Sequence, residues 1–321
     1  MNVPTLIIVF NREDPARKLL ELLQDIKPKK LYVACDGPRA QRPGEKDKVD
    51  RVRQLVQELV TWECDVSLRY QDTNLGSAAN ISQALTWFFT HEPEGIILED
   101  DCLPNKSFFP FCEKSLEKYR DDERVASIAG CNFGLPVDGP ADYTYVKTSI
   151  SWGWASWRRV WQQFDPHLAT FPDMVASGKL RAAFTHLRHY LYYKHLWGLI
   201  HRKQIFSWDY SFLYLLISKN LLTVMPGKNL VRNIGFGEDA ARTKTAPTQY
   251  DVDQTLEIDA DNLTSPETVA ANMDVTERFY DYHAVLWRLL AVRMREKLTG
   301  KNFFNPALKD YNLSMMPKAD K

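Results

Sequence analysis

The sequence has little that would carry it into or through a membrane. No stretch reaches the roughly 18 consecutive apolar residues that a spanning helix needs. Met1 is soon followed by a short apolar run at residues 5–10, without a basic start or a small-residue cleavage site, so we expect no signal peptide. These absences predict a cytoplasmic protein and leave open a contact with the inner face of a membrane.

The chain also lacks net charge. Its 41 Lys and Arg residues balance its 41 Asp and Glu residues. A neutral protein has no overall field that would draw in a polyanion, so we expect no nucleic-acid partner. The five cysteines are an odd number without the paired spacing of a zinc finger, which indicates free thiols in a reducing compartment.

The first 130 residues show a regular alternation of strand and helix patterns. Short apolar or alternating runs are typical of strands, and between them apolar residues recur at helical spacing. The predicted strands lie at residues 5–10, 31–34, 66–70 and 95–98. Strands that alternate with helices predict an α/β fold with a doubly wound, mostly parallel sheet flanked by helices.

The alternation fades after about residue 140. Helices are predicted at residues 179–203, 208–219 and 277–298, a strand at 221–225 and an irregular loop or lid at 226–247. The sequence contains no internal repeat and no linker clear enough to divide it.

Polar residues follow three of the predicted strands at the point where each strand ends. These residues are Asn11 with Arg12, Asp36 with Gly37, and the acidic triplet at residues 99–101. The carboxyl ends of parallel strands meet at one edge of a sheet, and ligands of such folds bind beyond that edge. The sequence therefore predicts a binding site there.

Glu99, Asp100 and Asp101 form the most informative of these clusters. Three adjacent carboxylates at the end of a buried strand repel one another, so a positive group should lie among them. Mg²⁺ and Mn²⁺ bind through one or two carboxylates together with phosphate oxygens, which suits this cluster. The alternative is a solvated acidic turn that caps a helix near Phe108.

The acidic triplet and the residues after it resemble GT-A glycosyltransferases, which carry an Asp-x-Asp or Glu-Asp-Asp motif after the fourth strand. In N-acetylglucosaminyltransferase I this motif precedes a Pro-x-x-Phe-Phe stretch, and here Pro104 and then Phe108 and Phe109 follow the triplet. Related bacterial glycosyltransferases are similar as well. The resemblance spans about residues 4–245 at the level of motifs. It implies a GT-A domain at residues 1–250, with a nucleotide-binding half (about 1–130) and an acceptor half (about 131–250), before a helix-containing extension at 251–321.

The resemblance also implies roles for the residues at the strand ends. Asp101 would bind Mn²⁺ or Mg²⁺, Asp100 would lie near the ribose, and Glu99 would lie near the donor sugar. Arg12 resembles the arginine that contacts the diphosphate, and its fork of donors suits that group. Asp36 resembles the acid that reads the base. The donor would be a nucleotide-sugar, with a UDP-sugar favoured. The alternative for Arg12 is a surface residue at a helix start, and the alternative for Asp36 is a simple Asp-Gly turn.

Further nucleotide-sugar-binding residues follow from the same resemblance. Gly153 and Trp154 lie in a segment similar to the family's Gly-x-Gly-Trp, for which core packing is the alternative. Asn233 and Gly235 lie in a segment similar to the loop that orders over the donor, and Asn11 accompanies Arg12. Related enzymes place a histidine after that loop, whereas this chain has Glu238–Arg242, where Arg242 would serve phosphate instead.

Asp209 is the candidate catalytic base. Sugar transfer requires the acceptor hydroxyl to lose its proton, and a carboxylate is the usual base. The stretch from Met174 to Trp208 contains no acid that could compete. The resemblance places an acid at this point in an inverting mechanism and implies acceptor contact by Trp208. Capping of the following helix is the alternative role of Asp209 and is compatible with the first.

Residues 179–203 carry six Lys or Arg residues and four histidines among aromatic residues. This segment could face an anionic, lipid-linked acceptor at a membrane surface, and the alternative is a solvated helix packed by its aromatics.

The predicted function is therefore a metal-dependent, inverting glycosyltransferase that acts on a hydroxyl of a glycan or glycolipid. A nucleotidyltransferase of the same fold is the main alternative, although the glycine-rich signature of that class is missing after the first strand. A non-catalytic carbohydrate-binding protein and a metal-dependent hydrolase remain as further alternatives.

Overall fold

A computed structural model describes residues 1–135, 137, 139–235 and 255–284 of the chain. Its strands are β1 Thr5–Val9, β2 Lys30–Cys35, β3 Asp65–Tyr70, β4 Glu94–Glu99, β5 Cys102–Pro104, β6 Val125–Ala129, β7 Tyr143–Val146, β8 Trp154–Trp157, β9 Leu222–Pro226 and β10 Val231–Asn233.

The helices alternate with the early strands and dominate the later part. They are α1 Glu13–Ile26, α2 Glu45–Leu59, α3 Ser77–His91, α4 Phe108–Lys118, α5 Arg158–Trp161, α6 Phe171–Ala176, α7 Lys179–Ala182, α8 Leu187–His201, α9 Trp208–Lys219 and α10 Met273–His283, with a 3₁₀ turn at Ala260–Asn262.

Eight strands form the central sheet in the order β3-β2-β1-β4-β8-β6-β9-β7. The pairings among β3, β2, β1 and β4 and between β6 and β9 are parallel, whereas β8 and β7 run antiparallel to their neighbours. The predicted α/β class, with a mostly parallel sheet flanked by helices, is confirmed.

Burial along the first strands follows from their positions in the sheet. β1 is buried along its whole length because β2 and β4 flank it, and its residues are apolar except for Thr5. β3 lies at the edge of the sheet and leaves Val66 and Leu68 exposed. The buried central strands therefore fix the positions of the polar residues that follow their carboxyl ends.

A second sheet consists of two strands, β5 and β10, which pair antiparallel. Asn233 lies opposite Cys102, and the amide of Ile234 donates to the carbonyl of Asp101 at 2.8 Å. This pairing brings residues 231–235, distant in sequence, against the end of β4. The rest of the predicted loop, including Glu238–Arg242, lies outside the described residues.

The prediction of one helix over residues 179–203 is wrong, because the segment folds as α7 and α8 with a break between them. Phe184 turns into the core and stacks on Tyr193 at 5.6 Å between ring centroids. Arg181 donates to the Phe184 carbonyl at 2.6 Å, and His186 is extended at the start of α8. Tertiary burial of one aromatic ring thus interrupts the helical pattern.

Residues 255–284 pack back onto the main body. Ile258 donates to the Ser107 hydroxyl at 3.2 Å, and Asn272 donates to the Tyr145 carbonyl at 2.7 Å. α10 then contacts α8, where the buried His189 lies 2.8 Å from Glu277 through Nδ1 and 2.8 Å from Asp281 through Nε2. The helix predicted at residues 277–298 starts earlier, at Met273, and residues 285–298 lie outside the described part.

All five cysteines are free thiols in the structure. Within the described residues, no helix combines the length and apolar character required to span a membrane.

Candidate active site

Arg12 is the positive group that lies among the acids after β4. Its Nη2 atom donates to Asp101 Oδ2 at 2.9 Å and also contacts Asp100 Oδ1. The contact forms because β1 and β4 are parallel neighbours, so the residues that follow them emerge side by side. The sequence predicted a cation at this point, and in this structure the guanidinium provides it.

Asp100 is almost completely buried, and burial raises the pKa of its carboxyl to about 6 although Arg12 opposes the shift. One of its oxygens, Oδ2, is buried without a hydrogen-bond partner. An ionised carboxylate with an unsatisfied buried oxygen costs free energy, which a cation or a ligand donor would offset. Asp100 is therefore ready to receive a positive group.

Asp101 lies against the segment that follows β10. A Cβ atom built on Gly235 would come within 2.1 Å of Asp101 Oδ2, so only glycine fits at this position. The Gly235 amide donates to Asn233 Oδ1 at 2.8 Å, which fixes the turn. The structure thus brings Asn233 and Gly235 next to Asp101, and their contact with a donor stays a prediction.

Gly153 and Trp154 lie beside the same edge. Gly153 has a φ of +62°, and a Cβ would meet Val231 and Leu98, so the position requires glycine for conformation and for space. Trp154 pairs with Ile97 of β4 and is 2% exposed. Its indole belongs to the core, so contact between Trp154 and a sugar stays a prediction.

Asn11 is held by residues that the sequence reasoning missed. Its side-chain amide donates to Glu45 Oε1 at 3.0 Å, and the Arg39 amide donates to Glu45 Oε2 at 2.8 Å. The Arg39 guanidinium also bonds Glu45 and lowers the pKa of that carboxyl, while it lies 5.6 Å from the centre of the Phe10 ring. In the sequence, Glu45 was visible only as an acidic residue near the start of a predicted helix.

Asp36 anchors the loop between β3 and α3. Its carboxylate accepts from the amides of Gly37, Leu75 and Gly76 at 2.8–3.0 Å and from the Asn74 side chain at 3.0 Å. Burial raises the pKa of Asp36, and the backbone donors partly oppose that shift. Four donors match the about four acceptor positions of a carboxylate. The base-reading role of Asp36 stays a prediction.

Asp209 lies in the first turn of α9, where the Ser207 hydroxyl donates to its carboxylate. The preceding residue, Trp208, is 3% exposed and stacks on Trp154 with 5.9 Å between ring centroids. Because Trp154 pairs with β4, this stack places the start of α9 beside the strand that ends at Glu99. The acceptor role of Trp208 stays a prediction, and Trp154 covers one face of its indole.

Within the described residues, no group of three or more His, Cys, Asp and Glu side chains is arranged to hold a metal ion. A site for Mg²⁺ or Mn²⁺ does not require such a group when phosphate oxygens and water complete the coordination. The unsatisfied Asp100 oxygen beside the partly exposed Asp101 fits a cation of that kind.

No protein-family model matches the chain, and no curated protein matches it. Solved structures do resemble it. A mannosyltransferase from Pyrobaculum calidifontis in complex with GDP-Man and Mn²⁺ is 13% identical, with 68% of this chain and 69% of that chain covered and a TM-score of 0.33.

Mouse xyloside xylosyltransferase 1 in its apo form is 10% identical, with 68% of this chain and 82% of that chain covered and a TM-score of 0.35. HddC from Yersinia pseudotuberculosis is 13% identical, with 49% of this chain and 77% of that chain covered and a TM-score of 0.32. These scores are too low for the likeness to carry an argument, so the site alone supports the function. None of the three is N-acetylglucosaminyltransferase I, and that part of the resemblance stays a prediction.

Proposed function

We propose that this protein is a metal-dependent, inverting glycosyltransferase that moves a sugar from a nucleoside-diphosphate sugar to a hydroxyl of a glycan or glycolipid. The observation that carries the proposal is the buried, incompletely satisfied Asp100 beside Asp101 and Arg12 at the carboxyl edge of the sheet. A site of this kind suits a diphosphate and its cation.

Asp101 would hold Mn²⁺ or Mg²⁺, with the unsatisfied oxygen of Asp100 beside it. When bound, the ion neutralises charge that develops on the leaving diphosphate. Arg12, which now pairs with both carboxylates, would contact the diphosphate through its remaining donors. Glu99 ends β4, and in this proposal it would border the donor sugar.

The remaining donor contacts come from the residues around that edge. Asp36 holds the loop before α3 so that the base has a fixed surface, and Glu45 holds Asn11. Gly153 and Gly235 allow the segment after β10 to pack closely against β4 and Asp101, which fixes the position of the Asp101 carboxylate. A UDP-sugar is the favoured donor.

Asp209 accepts the proton of the acceptor hydroxyl as that hydroxyl attacks the anomeric carbon. It belongs to α9, an element separate from the Asp100–Asp101 turn, so base and leaving group can lie on opposite sides of the sugar. Direct displacement from the far side inverts the anomeric centre. Trp208 would border the acceptor, and Ser207 orients the base.

Incubation with a panel of nucleotide-sugars and Mn²⁺, followed by detection of free nucleoside diphosphate, tests the proposal. Asp101→Asn should lose most metal-dependent nucleotide binding in calorimetry, because it lacks the charge that holds the ion. Asp65→Asn, on the exposed edge strand, is the matched control and should bind normally.

The same panel with sugar 1-phosphates and nucleoside triphosphates tests the alternative function. Release of pyrophosphate there, without turnover of any nucleotide-sugar, would identify a nucleotidyltransferase and overturn the proposal. Unchanged metal and nucleotide affinity in Asp101→Asn would overturn the assignment of that residue.

A further inference from the structure

Helix α8 presents two very different faces. Its inward face carries Tyr193 and Trp197, both buried in a hydrophobic cluster with Leu213 of α9 and Tyr280 of α10. Its outward face carries Leu187 and Leu191, which are 54% and 40% exposed. The two leucines are four residues apart and therefore lie one above the other on the helix. Four of the five aromatic residues in this segment (residues 179–203) are thus buried in the core, while these two leucines face solvent.

The surroundings of these leucines are cationic. The chain has no Asp or Glu from Met174 to Trp208, and Arg188, Lys194 and Arg202 lie along α8 and at its end. The acids that face this helix come from α10. Asp281 bonds Arg188 and His189, and Glu277 lies against His189, so both α10 acids are already paired.

The chain's own tail is a poor match for this face. The described part of α10 ends beside α8, and residues 285–321 follow it. That tail carries eight Lys or Arg residues against three Asp or Glu residues, so it repels a cationic helix. A second copy would bring the same positive face against itself in a two-fold dimer, which is also unfavourable.

We infer that the outward face of α8, with Leu187 and Leu191 beside Lys194 and Arg202, docks on an anionic lipid bilayer. The leucines enter the boundary between headgroups and acyl chains, and the cations contact the lipid phosphates. The inference does not rest on the proposed transferase activity.

Sedimentation of the full-length chain with vesicles tests the inference directly, without any nucleotide or sugar. Vesicles of phosphatidylcholine alone are compared with vesicles that contain phosphatidylglycerol. We expect binding to the anionic vesicles only, and weaker binding as salt is raised. The double variant Leu187→Ser and Leu191→Ser should reduce the vesicle partition coefficient by about tenfold.

Val66→Ser with Leu68→Ser is the matched control, because it also removes two exposed apolar side chains, from the opposite edge of the fold. This control should bind vesicles like the wild type. Equal loss in both double variants, or none in the α8 variant, would overturn the inference. A lower stability of the α8 variant in urea with unchanged vesicle binding would also overturn it and show that the chain itself covers the leucines.

Discussion

Replacement of Arg12 by glutamine isolates the charge that this guanidinium supplies to Asp100 and Asp101. Arg12→Gln keeps most of the side-chain length and its polarity but removes the positive charge. The two carboxylates then face each other without compensation, and Asp100 is nearly fully buried. We expect the variant to fold and to be less stable in the absence of metal.

The size of the effect follows from burial. Removing one partner of a fully buried ion pair costs about 3–5 kcal/mol. The side chains of Arg12 and Asp101 are 22% and 18% exposed, so water offsets part of that cost and about 2 kcal/mol remains. Arg17→Gln, on the helix that follows Arg12, is the control because Arg17 pairs with the exposed Glu13, and it should cost less than about 1 kcal/mol.

Urea denaturation with and without Mn²⁺ measures both parts of the argument. A divalent ion replaces the missing charge, so Mn²⁺ should stabilise Arg12→Gln more than the wild type. A concentration one hundred times the dissociation constant adds about 2.7 kcal/mol. If Mn²⁺ stabilises both proteins equally, or if Arg12→Gln and Arg17→Gln lose the same stability, the guanidinium does not substitute for a metal charge at this site.

Three further results are expected. Asp209→Asn should lower turnover by about 10²- to 10⁴-fold while donor affinity measured by calorimetry stays the same, and NMR of the anomeric coupling should show inversion; normal turnover would exclude Asp209 as the base. Gly235→Ala should displace the Asp101 carboxylate and weaken metal-dependent nucleotide binding, whereas Gly198→Ala, which meets only the flexible Arg202 side chain, should not. Burial lowers the pKa of His283 to about 4, so the unfolded chain takes up a proton first as pH falls below about 6.5, and stability decreases. Between pH 7 and pH 5 the free energy of unfolding, measured by urea denaturation, should fall by at most about 2 kcal/mol through this group. His283→Phe should reduce that fall; an equal fall in the variant would assign the pH dependence to other groups.

The parallel half of the fold is predictable because its signals are local. Short apolar runs fix β1, β2 and β4 to within one or two residues, and the polar residues that follow them emerge at one edge. The repulsion among the acids also predicts a positive neighbour. The sequence could not show that Arg12 itself fills that place, since this depends on the side-by-side alignment of β1 and β4.

Contacts between distant segments were beyond the reach of sequence patterns. Glu45 accepts a hydrogen bond from Asn11, 34 residues earlier, and Asp36 accepts one from Gly76, 40 residues later. No local sequence pattern links the two residues of either pair, so neither contact could be predicted. Gly235 reaches Asp101 only because β10 pairs with β5. The break between α7 and α8 likewise depends on the burial of Phe184, which a helical period cannot reveal.

The contact between His189 and α10 sets an order of events for a chain that is being synthesised. His189 is fully buried, yet the carboxylate that faces its Nε2 atom comes 92 residues later. Until Glu277 and Asp281 have left the ribosome, the imidazole of His189 cannot be buried without leaving its ring nitrogens unsatisfied. Helix α8 therefore completes its packing late in translation, after α10 has been made. Strands β1 to β4 can pair earlier, because they follow one another closely in the sequence.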